Sequence, residues 1–434
     1  KSDLIQNKSE DYFAKRVLDQ LERSVKMRMM SDVPLGAYLS GGVDSGAIVA
    51  LMAKHSQEPV NTFTVGFEQK EHDESSKASF LAEKFNTNHH QINIEMDAAK
   101  TLPKVVWHLD EPMSDATCLP VYLMAEKTKP YATVVLTGDG GDEQFIGYDQ
   151  FKFLKIHHNL IRATPLIARK SFSSLISTMP QKFLDALFKY SSSLGEQGIL
   201  RSRDFVSTND YAKMYLSLVS IFDQKEKQQL FSEASLQELR KSDYRFIRDI
   251  KKEFLQHVIR KNYLNKLNDL DTAKILPEDF LMKVDKNTMA HAIEARVPIL
   301  DHHMTELASS IPQNLKLKFL QDKYIFRKAV SSILPKEVFQ RKKDRFFVPI
   351  NSWCGGEIGE ITKQILSEEK VSKQNIFRHS AVADVFSHYQ RSPLYSARQQ
   401  WTLLNFQMWH KLFIETDDFK DKNKIRKLNL DYFV

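Results

Sequence analysis

The sequence predicts an α/β protein: a doubly wound parallel sheet carrying a large helical extension. Three observations lead there. From Val33 to about residue 150, short apolar runs alternate with segments of helical spacing. Those runs end in glycine-rich turns. Beyond Tyr148 the strand signals fade, and Leu, Phe, Lys and Ser recur at helical spacing to the end of the chain. A length of 434 residues fits two lobes, or one α/β domain with a helical extension, better than one ordinary core.

The elements follow in order. Residues 1–31 are charged and amphipathic, and Phe13, Val17, Leu18 and Leu21 predict one helix. Gly36–Leu39 reads as a strand, followed by a glycine-rich turn and a helix over Ala47–Lys54. Asn61–Phe67 is a second strand, Ser75–Phe85 a helix, and Gln91–Ile94 a third strand. Pro120–Lys129 is helical, and Thr133–Leu136 is the most strongly β-branched run. Strands separated by helices imply βαβ units and a sheet covered on both faces. Residues 151–434 read as all-helical, with loops at Ser171–Ser177, Ser191–Gly195 and Lys342–Pro349. The division expected is a terminal helix and linker over 1–31, an α/β core over 32–150 and a helical lobe over 151–434.

Composition narrows the class. About 42% of residues are apolar, enough for sizeable cores, yet no run approaches the roughly 18–20 apolar residues of a membrane span. There is no signal-peptide pattern at the start, so a cytoplasmic protein without a membrane segment is expected. The two cysteines, Cys118 and Cys354, have no zinc-ligand spacing and fit a reducing compartment. The net charge of +7 is spread out and suits anionic substrates. Basic clusters at Arg341-Lys342-Lys343 and Lys420–Lys427 sit in no recognisable nucleic-acid module, so no nucleic-acid partner is expected.

The most specific motif is Leu39-Ser40-Gly41-Gly42-Val43-Asp44-Ser45-Gly46, between a strand and a helix. Unpaired N–H groups and the helix dipole favour an anion at that junction. Gly41 and Gly42 admit phosphate close to the backbone, and Ser40 and Ser45 offer hydroxyls. Asp44 would repel a bare phosphate, so it implies a Mg²⁺ bridge. No Gly-Lys-Ser/Thr follows, and the third glycine of a dinucleotide fingerprint is missing. The loop resembles the pyrophosphate loop of the ATP pyrophosphatase families, which cleave ATP between the α and β phosphates.

Further segments narrow the resemblance. Thr64-Val65-Gly66-Phe67 ends the second strand, and Thr137-Gly138-Asp139-Gly140-Gly141-Asp142-Glu143 follows the β-branched one and leads to Gly147-Tyr148. Open α/β sheets bind ligands at such strand ends. Lys283-Val284-Asp285-Lys286, Glu294-Ala295-Arg296-Val297-Pro298-Ile299-Leu300-Asp301-His302 and Arg341-Lys342-Lys343 complete the set. Together they resemble the synthetase domain of the glutamine-hydrolysing asparagine synthetase family over about residues 10–410. The resemblance implies an adenine nucleotide alpha hydrolase-like sheet and an ATP-dependent carbon–nitrogen ligase.

Matched to the family's motifs, Leu39, Val65 and Gly66 hold adenine through the backbone. Thr137, Gly138, Asp139 and Gly140 face the nucleotide and the acyl intermediate. The matching aspartates are magnesium ligands in relatives, and the resemblance implies that role for Asp44 and Asp142. Lys343, with Arg341 beside it, balances charge on the departing pyrophosphate. Tyr148 joins Gly140 in the acceptor pocket, while Glu111 and Asp115 either line that pocket or cap a turn. Arg296 and Asp301 read as structural ion-pair partners packing the helical lobe onto the sheet. His89-His90 resembles a family feature and is not expected to bind metal.

The resemblance implies aspartate activated by ATP and amidated by ammonia, giving asparagine, AMP and pyrophosphate. Three features depart from it. Asp139 stands where biosynthetic enzymes carry Glu, Ala116 where they carry Arg, and Asp344 where relatives have Gly. The Gly-Asp-Gly-Gly-Asp-Glu form is similar to members of surface-polysaccharide pathways that amidate uronic acids, so a uronate acceptor stays open, as does a non-catalytic scaffold. Whole enzymes of the family begin with a glutaminase domain of ordinary domain size, which this sequence lacks. Ammonia is expected from such a domain on a longer or separate chain, or from free ammonium. A homodimer is allowed for.

Overall fold

The computed structural model describes residues 8–66, 75–93, 97–165, 167–169, 200–242, 245, 248–249, 252, 263–340, 348–416, 425 and 427–434. The chain divides into two compact units that interleave in sequence. One takes Lys1–Asp97, Thr117–Lys152 and Asp271–Val348; the other takes Ala98–Ala116, Phe153–Leu270 and Pro349–Val434.

The first unit opens with helix α1, Glu10–Arg28. Ser9 caps it by accepting from the Tyr12 N–H at 3.2 Å, with Glu10 and Asp11 in the first turn and Lys26 and Arg28 in the last. Phe13, Val17 and Leu21 bury its apolar stripe as the spacing predicts. The strands are β1 (Leu35–Tyr38), β2 (Asn61–Gly66), β3 (Asn88–Asn93), β4 (Val134–Leu136) and β5 (Glu294–Arg296). They form one parallel sheet in the order β3-β2-β1-β4-β5. Helices α2 (Val43–His55), α3 (Ser75–Lys84) and α5 (Cys118–Thr128) connect strands within this unit. Helix α4 (Ala98–Leu109) belongs to the second unit.

Both sheet faces are covered, as expected of a doubly wound fold. Phe13, Val17, Ile48, Leu51, Leu81 and Leu136 join one buried cluster with Met304, Phe326 and Val330. Phe63, Ala125, Val135 and Ile293 form another.

The all-helical reading of 151–434 is corrected at one place, because β5 lies at the sheet edge beside β4. Three residues with the burial pattern exposed–intermediate–intermediate carry no alternation that a sequence pattern can detect. Strand β3 starts three residues before the predicted Gln91, since Asn88-His89-His90 is polar and pairs only on the side facing β2. Thr62 Oγ1 meets His89 Nδ1 at 2.9 Å, and the His90 ring stacks on Phe63. The expected loops at Ser171–Ser177 and Ser191–Gly195 lie outside the described residues, as do residues 342–347, Phe67 and Ile94.

Arg296 and Asp301 are structural, but they hold α1. Asp301 pairs with Arg28 at 3.0 Å, and Arg296 donates to the Arg28 and Met30 carbonyls at 2.9 and 2.7 Å.

The second unit is helical among its described residues. Its long helix Pro393–His410 buries Trp401, Leu404 and Met408. Arg201 lies 4.6 Å from the Tyr395 ring centroid and bonds to the Ile221 carbonyl and Glu226. Among the described residues no helix is long and apolar enough to cross a membrane.

Candidate functional site

The sheet order fixes where a ligand can bind. The chain winds outward from β1 through β2 to β3, then returns to the other side of β1 as β4 and β5. The order therefore reverses between β1 and β4, and the carboxyl ends of these two strands flank the crevice such folds use for ligands. The Leu39–Gly42 turn leaves β1 and the Thr137–Gly140 turn leaves β4.

Helix α2 begins at Gly42 with no side-chain cap, so the N–H groups of its first turn are open to an anion. Gly41 has φ +75°, a conformation that disfavours any side chain. The two serines close the loop on itself: Ser40 Oγ and Ser45 Oγ are 3.0 Å apart, and the Ser40 N–H donates to Ser45 Oγ at 3.1 Å. The Leu39 N–H is taken by the Phe63 carbonyl at 2.9 Å. Val65 and Gly66 end β2, in register with Ile92 and Asn93 of β3.

The β4 turn presses against the start of α2. A Cβ on Gly138 would stand 2.7 Å from the Ser45 nitrogen and 3.1 Å from Ser45 Cα, so only glycine permits this approach. The Thr137 N–H donates to the Arg296 carbonyl at 2.9 Å, while its buried hydroxyl oxygen has no hydrogen-bond partner. Asp139 is half-buried beside them, and Gly140 lies against Leu300.

What the sequence pattern missed is the residue joining the two turns. Lys323, 4% exposed, places its Nζ 2.6 Å from Asp44 Oδ2 and 3.0 Å from Asp142 Oδ1. Asp44 is in the first turn of α2, and Asp142 is in the first turn of helix α6, Gly141–Phe145. Burial lowers the Lys323 pKa, but the Asp142 and Asp44 charges outweigh it and hold the pKa above its usual value. Lys323 itself adopts φ +48°, which is uncommon for a residue with a side chain and marks a position held by its surroundings. No local signal points to it, because Asp44 is 279 residues away in sequence.

Asp44 Oδ1 is buried and has no hydrogen-bond partner. Two hard carboxylates at a glycine-rich strand-to-helix turn, one with an orphaned oxygen, are a donor set that would suit a Mg²⁺ ion. Among the described residues no group of three or more His, Cys, Asp or Glu side chains forms a metal centre alone.

Beyond Asp142 lies a second, protonatable cluster. Burial, and then the Asp142 charge, push the Glu143 carboxyl up to about 7. Tyr148 donates a short hydrogen bond to Glu143. Burial and then Glu143 raise the Tyr148 hydroxyl well above its ordinary value, and the same two causes raise Asp271. The Tyr148 ring stacks on Phe280, with centroids 6.0 Å apart. Helix α7, Met282–Met289, follows, and Lys283 at its start bonds Thr117 Oγ1 at 2.9 Å.

The structure thus gathers Asp44, Ser45, Gly138 and Asp142 tightly, with Gly140 and Tyr148 in the same unit. Glu111 is exposed and Asp115 half-buried in the stretch after α4, within the second unit. That stretch starts at Asp110, whose φ is +52° and whose carbonyl accepts from Trp409 Nε1 at 2.9 Å. Arg341 and Lys343 lie outside the described residues.

Comparison with known proteins points the same way. The asparagine synthase family model matches residues 16–411. The chain is similar to asparagine synthetase (glutamine-hydrolyzing) 1 of Bacillus subtilis, 32% identical over 408 residues covering 94% of this chain and 60% of that protein. It is also similar to the amidase chyE of Penicillium rubens, 26% identical over 405 residues covering 84% of this chain and 56% of that protein. The chain spans about three-fifths of the length of these relatives.

Proposed function

Because the chain belongs to the asparagine synthase family, we propose that it is an ATP-dependent carbon–nitrogen ligase that adenylylates a carboxylate and converts it to an amide. The carboxylate oxygen attacks the α-phosphorus of ATP and pyrophosphate leaves. Ammonia then attacks the acyl carbon, AMP leaves, and a proton is lost to a base or to solvent. Aspartate is the acceptor in this reading, asparagine is the product, and a glutaminase domain supplies the ammonia.

The observation that carries it is the meeting of Asp44 and Asp142 on one buried lysine at the sheet's reversal point. This is where negative charge accumulates as pyrophosphate departs. The open N–H groups of α2, with Ser40 and Ser45, bind the phosphates. Leu39, Val65 and Gly66 hold the adenine through backbone groups. Thr137, Gly138 and Asp139 border the acyl-adenylate, and Gly140 and Tyr148 border the acceptor. Asp44 and Asp142 would hold a magnesium ion, which neutralises phosphate charge when bound. Lys323 keeps the two carboxylates from repelling each other. Lys343 and Arg341 add charge to the leaving group.

A second reading replaces aspartate by a uronic acid, favoured by Asp139 and by the uncharged Ala116. The test is pyrophosphate release with ATP, Mg²⁺ and ammonium across L-aspartate and uronic acids, with the amide product identified. Release with aspartate supports the first reading, and release only with a uronate supports the second. No release with any of these carboxylates contradicts both and leaves a scaffold.

A further inference from the structure

We propose that Glu10 is a positioning residue for the site: it staples the turn that delivers Lys323 to Asp44 and Asp142. The role rests on the reading of that site as the place where ATP phosphates bind. The turn itself is under strain. Lys318 and Gln321 pair across it, the Lys318 N–H donating to the Gln321 carbonyl at 3.2 Å and the Gln321 N–H to the Lys318 carbonyl at 2.9 Å. Lys323 ends it, and helix α8, Tyr324–Val330, begins at the next residue. Phe319 and Lys323 have φ of +53° and +48°, in the left-handed region that side chains disfavour. Such backbone persists only where its surroundings over-determine it. Packing of the tip does not do so, because Phe319 is 83% exposed and Leu320 50% exposed.

One carboxylate instead joins the two ends of the turn. Glu10 Oε1 accepts from Lys318 Nζ at 2.5 Å, and Glu10 Oε2 accepts from the Tyr324 hydroxyl at 2.9 Å. Lys318 Nζ also donates to the Tyr324 hydroxyl oxygen at 3.2 Å and lies 4.5 Å from the centroid of that ring, which closes a triangle. Further along α8, Lys328 Nζ reaches Glu10 Oε2 at 3.3 Å. The hydrogen bonds from Lys318 and Tyr324 hold the Glu10 carboxyl down at about 2, so it stays charged at neutral pH. Asp322 makes a longer tie of its own, 3.5 Å to Lys152.

Fixing both ends of the turn fixes the backbone from which the Lys323 side chain starts. Its buried ammonium can then hold Asp44 and Asp142 at one spacing. Without the staple the two left-handed residues relax, and the ammonium is displaced from the carboxylates. The complex of ATP with one Mg²⁺ is still an anion, so it binds less well to two aspartates whose lysine has moved away. Glu10 therefore acts on the nucleotide through Lys323 and touches no ligand itself.

The test is equilibrium dialysis of ATP with equimolar Mg²⁺ against the parent, Glu10→Ala, Asp11→Asn, Lys323→Met and the Glu10→Ala/Lys323→Met double variant. Asp11 sits in the same helical turn and pairs with Lys328 at 2.8 Å, outside the staple. The dissociation constant should rise about fivefold in Glu10→Ala and stay within about twofold in Asp11→Asn. In the Lys323→Met background, Glu10→Ala should add less than about twofold, because residues that act through one another are not additive. Partly exposed ion pairs contribute little to global stability, so the melting temperature of Glu10→Ala should stay within about 4 °C of the parent. Should Glu10→Ala fail to fold, Tyr324→Phe removes only the hydroxyl and should raise the constant about threefold, again only while Lys323 is present. Where Lys323→Met binds ATP too weakly to measure, the contrast between Glu10→Ala and Asp11→Asn decides alone. Unchanged ATP affinity in Glu10→Ala, or equal increments with and without Lys323, overturns the proposal and leaves Glu10 a structural tie. A parent protein that binds no ATP contradicts the nucleotide reading itself, and this role with it.

Discussion

Replacing Lys323 by methionine probes the feature that joins the start of α2 to the turn after β4. The substitution keeps the length and apolar stem of the side chain and removes the ammonium. It leaves the Asp44 and Asp142 carboxylates, each about one-fifth exposed, facing one site with no cation between them. Removing one member of a buried pair costs about 3–5 kcal/mol. Partial exposure of the carboxylates screens their repulsion and places the expected loss near about 3 kcal/mol. For a unit of roughly 200 residues that is a fall in melting temperature of about 6–12 °C. The loss should shrink in millimolar Mg²⁺, which two freed carboxylates can bind. The assay is thermal unfolding of both proteins at pH 8, with and without Mg²⁺, beside pyrophosphate release. A melting temperature within about 2 °C of the parent at pH 8 without Mg²⁺, together with undiminished activity, refutes the reasoning.

Other consequences follow from single contacts. Gly138→Ala puts a methyl group 2.7 Å from the Ser45 nitrogen. About 1–3 kcal/mol of overpacking should separate the β4 turn from α2 and raise KM for ATP at least tenfold. Glu143 is pushed up to about 7 from an ordinary 4.5, so the native state retains a proton that the unfolded chain has released. Its contribution to stability is complete below about 4.5 and is lost as pH rises through about 7. Urea unfolding should therefore show stability falling over that window, with the slope reduced in Glu143→Gln; an equal slope in both proteins contradicts the assignment. Burial pushes the Cys354 thiol up to about 12, and Cys118 is buried as well. A thiol-reactive dye should label neither cysteine in the native protein and both after unfolding.

How much of this could be read from sequence depends on whether a residue's cause is local. The Ser40–Ser45 turn and the Thr137–Asp142 turn were legible, because the positive φ of Gly41 and the close packing of Gly138 on Ser45 need glycines beside a helix start at fixed spacing. Helix α1 was legible from Phe13, Val17 and Leu21, which share one face. Strand β5 was not, since three half-exposed residues become a strand only when β4 lies beside them. The start of β3 was hidden by the polarity of Asn88-His89-His90, allowed by its place at the other edge. Lys323 was invisible for a different reason: its meaning lies in two carboxylates far away in sequence, and only the closed fold brings them within 3.0 Å. Arg296 and Asp301 were rightly seen as structural, but their partner is the end of α1, which no spacing rule connects to them.

The central claim is that a carboxylate oxygen attacks the α-phosphorus of ATP at the crevice between β1 and β4. Running the reaction with ¹⁸O-labelled acceptor carboxylate, ATP, Mg²⁺ and ammonium, and weighing the nucleotide product, tests it directly. One ¹⁸O atom in AMP for each amide formed is the predicted result. Amide formation with ADP as the product and the label in inorganic phosphate would contradict it, because attack would then fall on the γ-phosphorus.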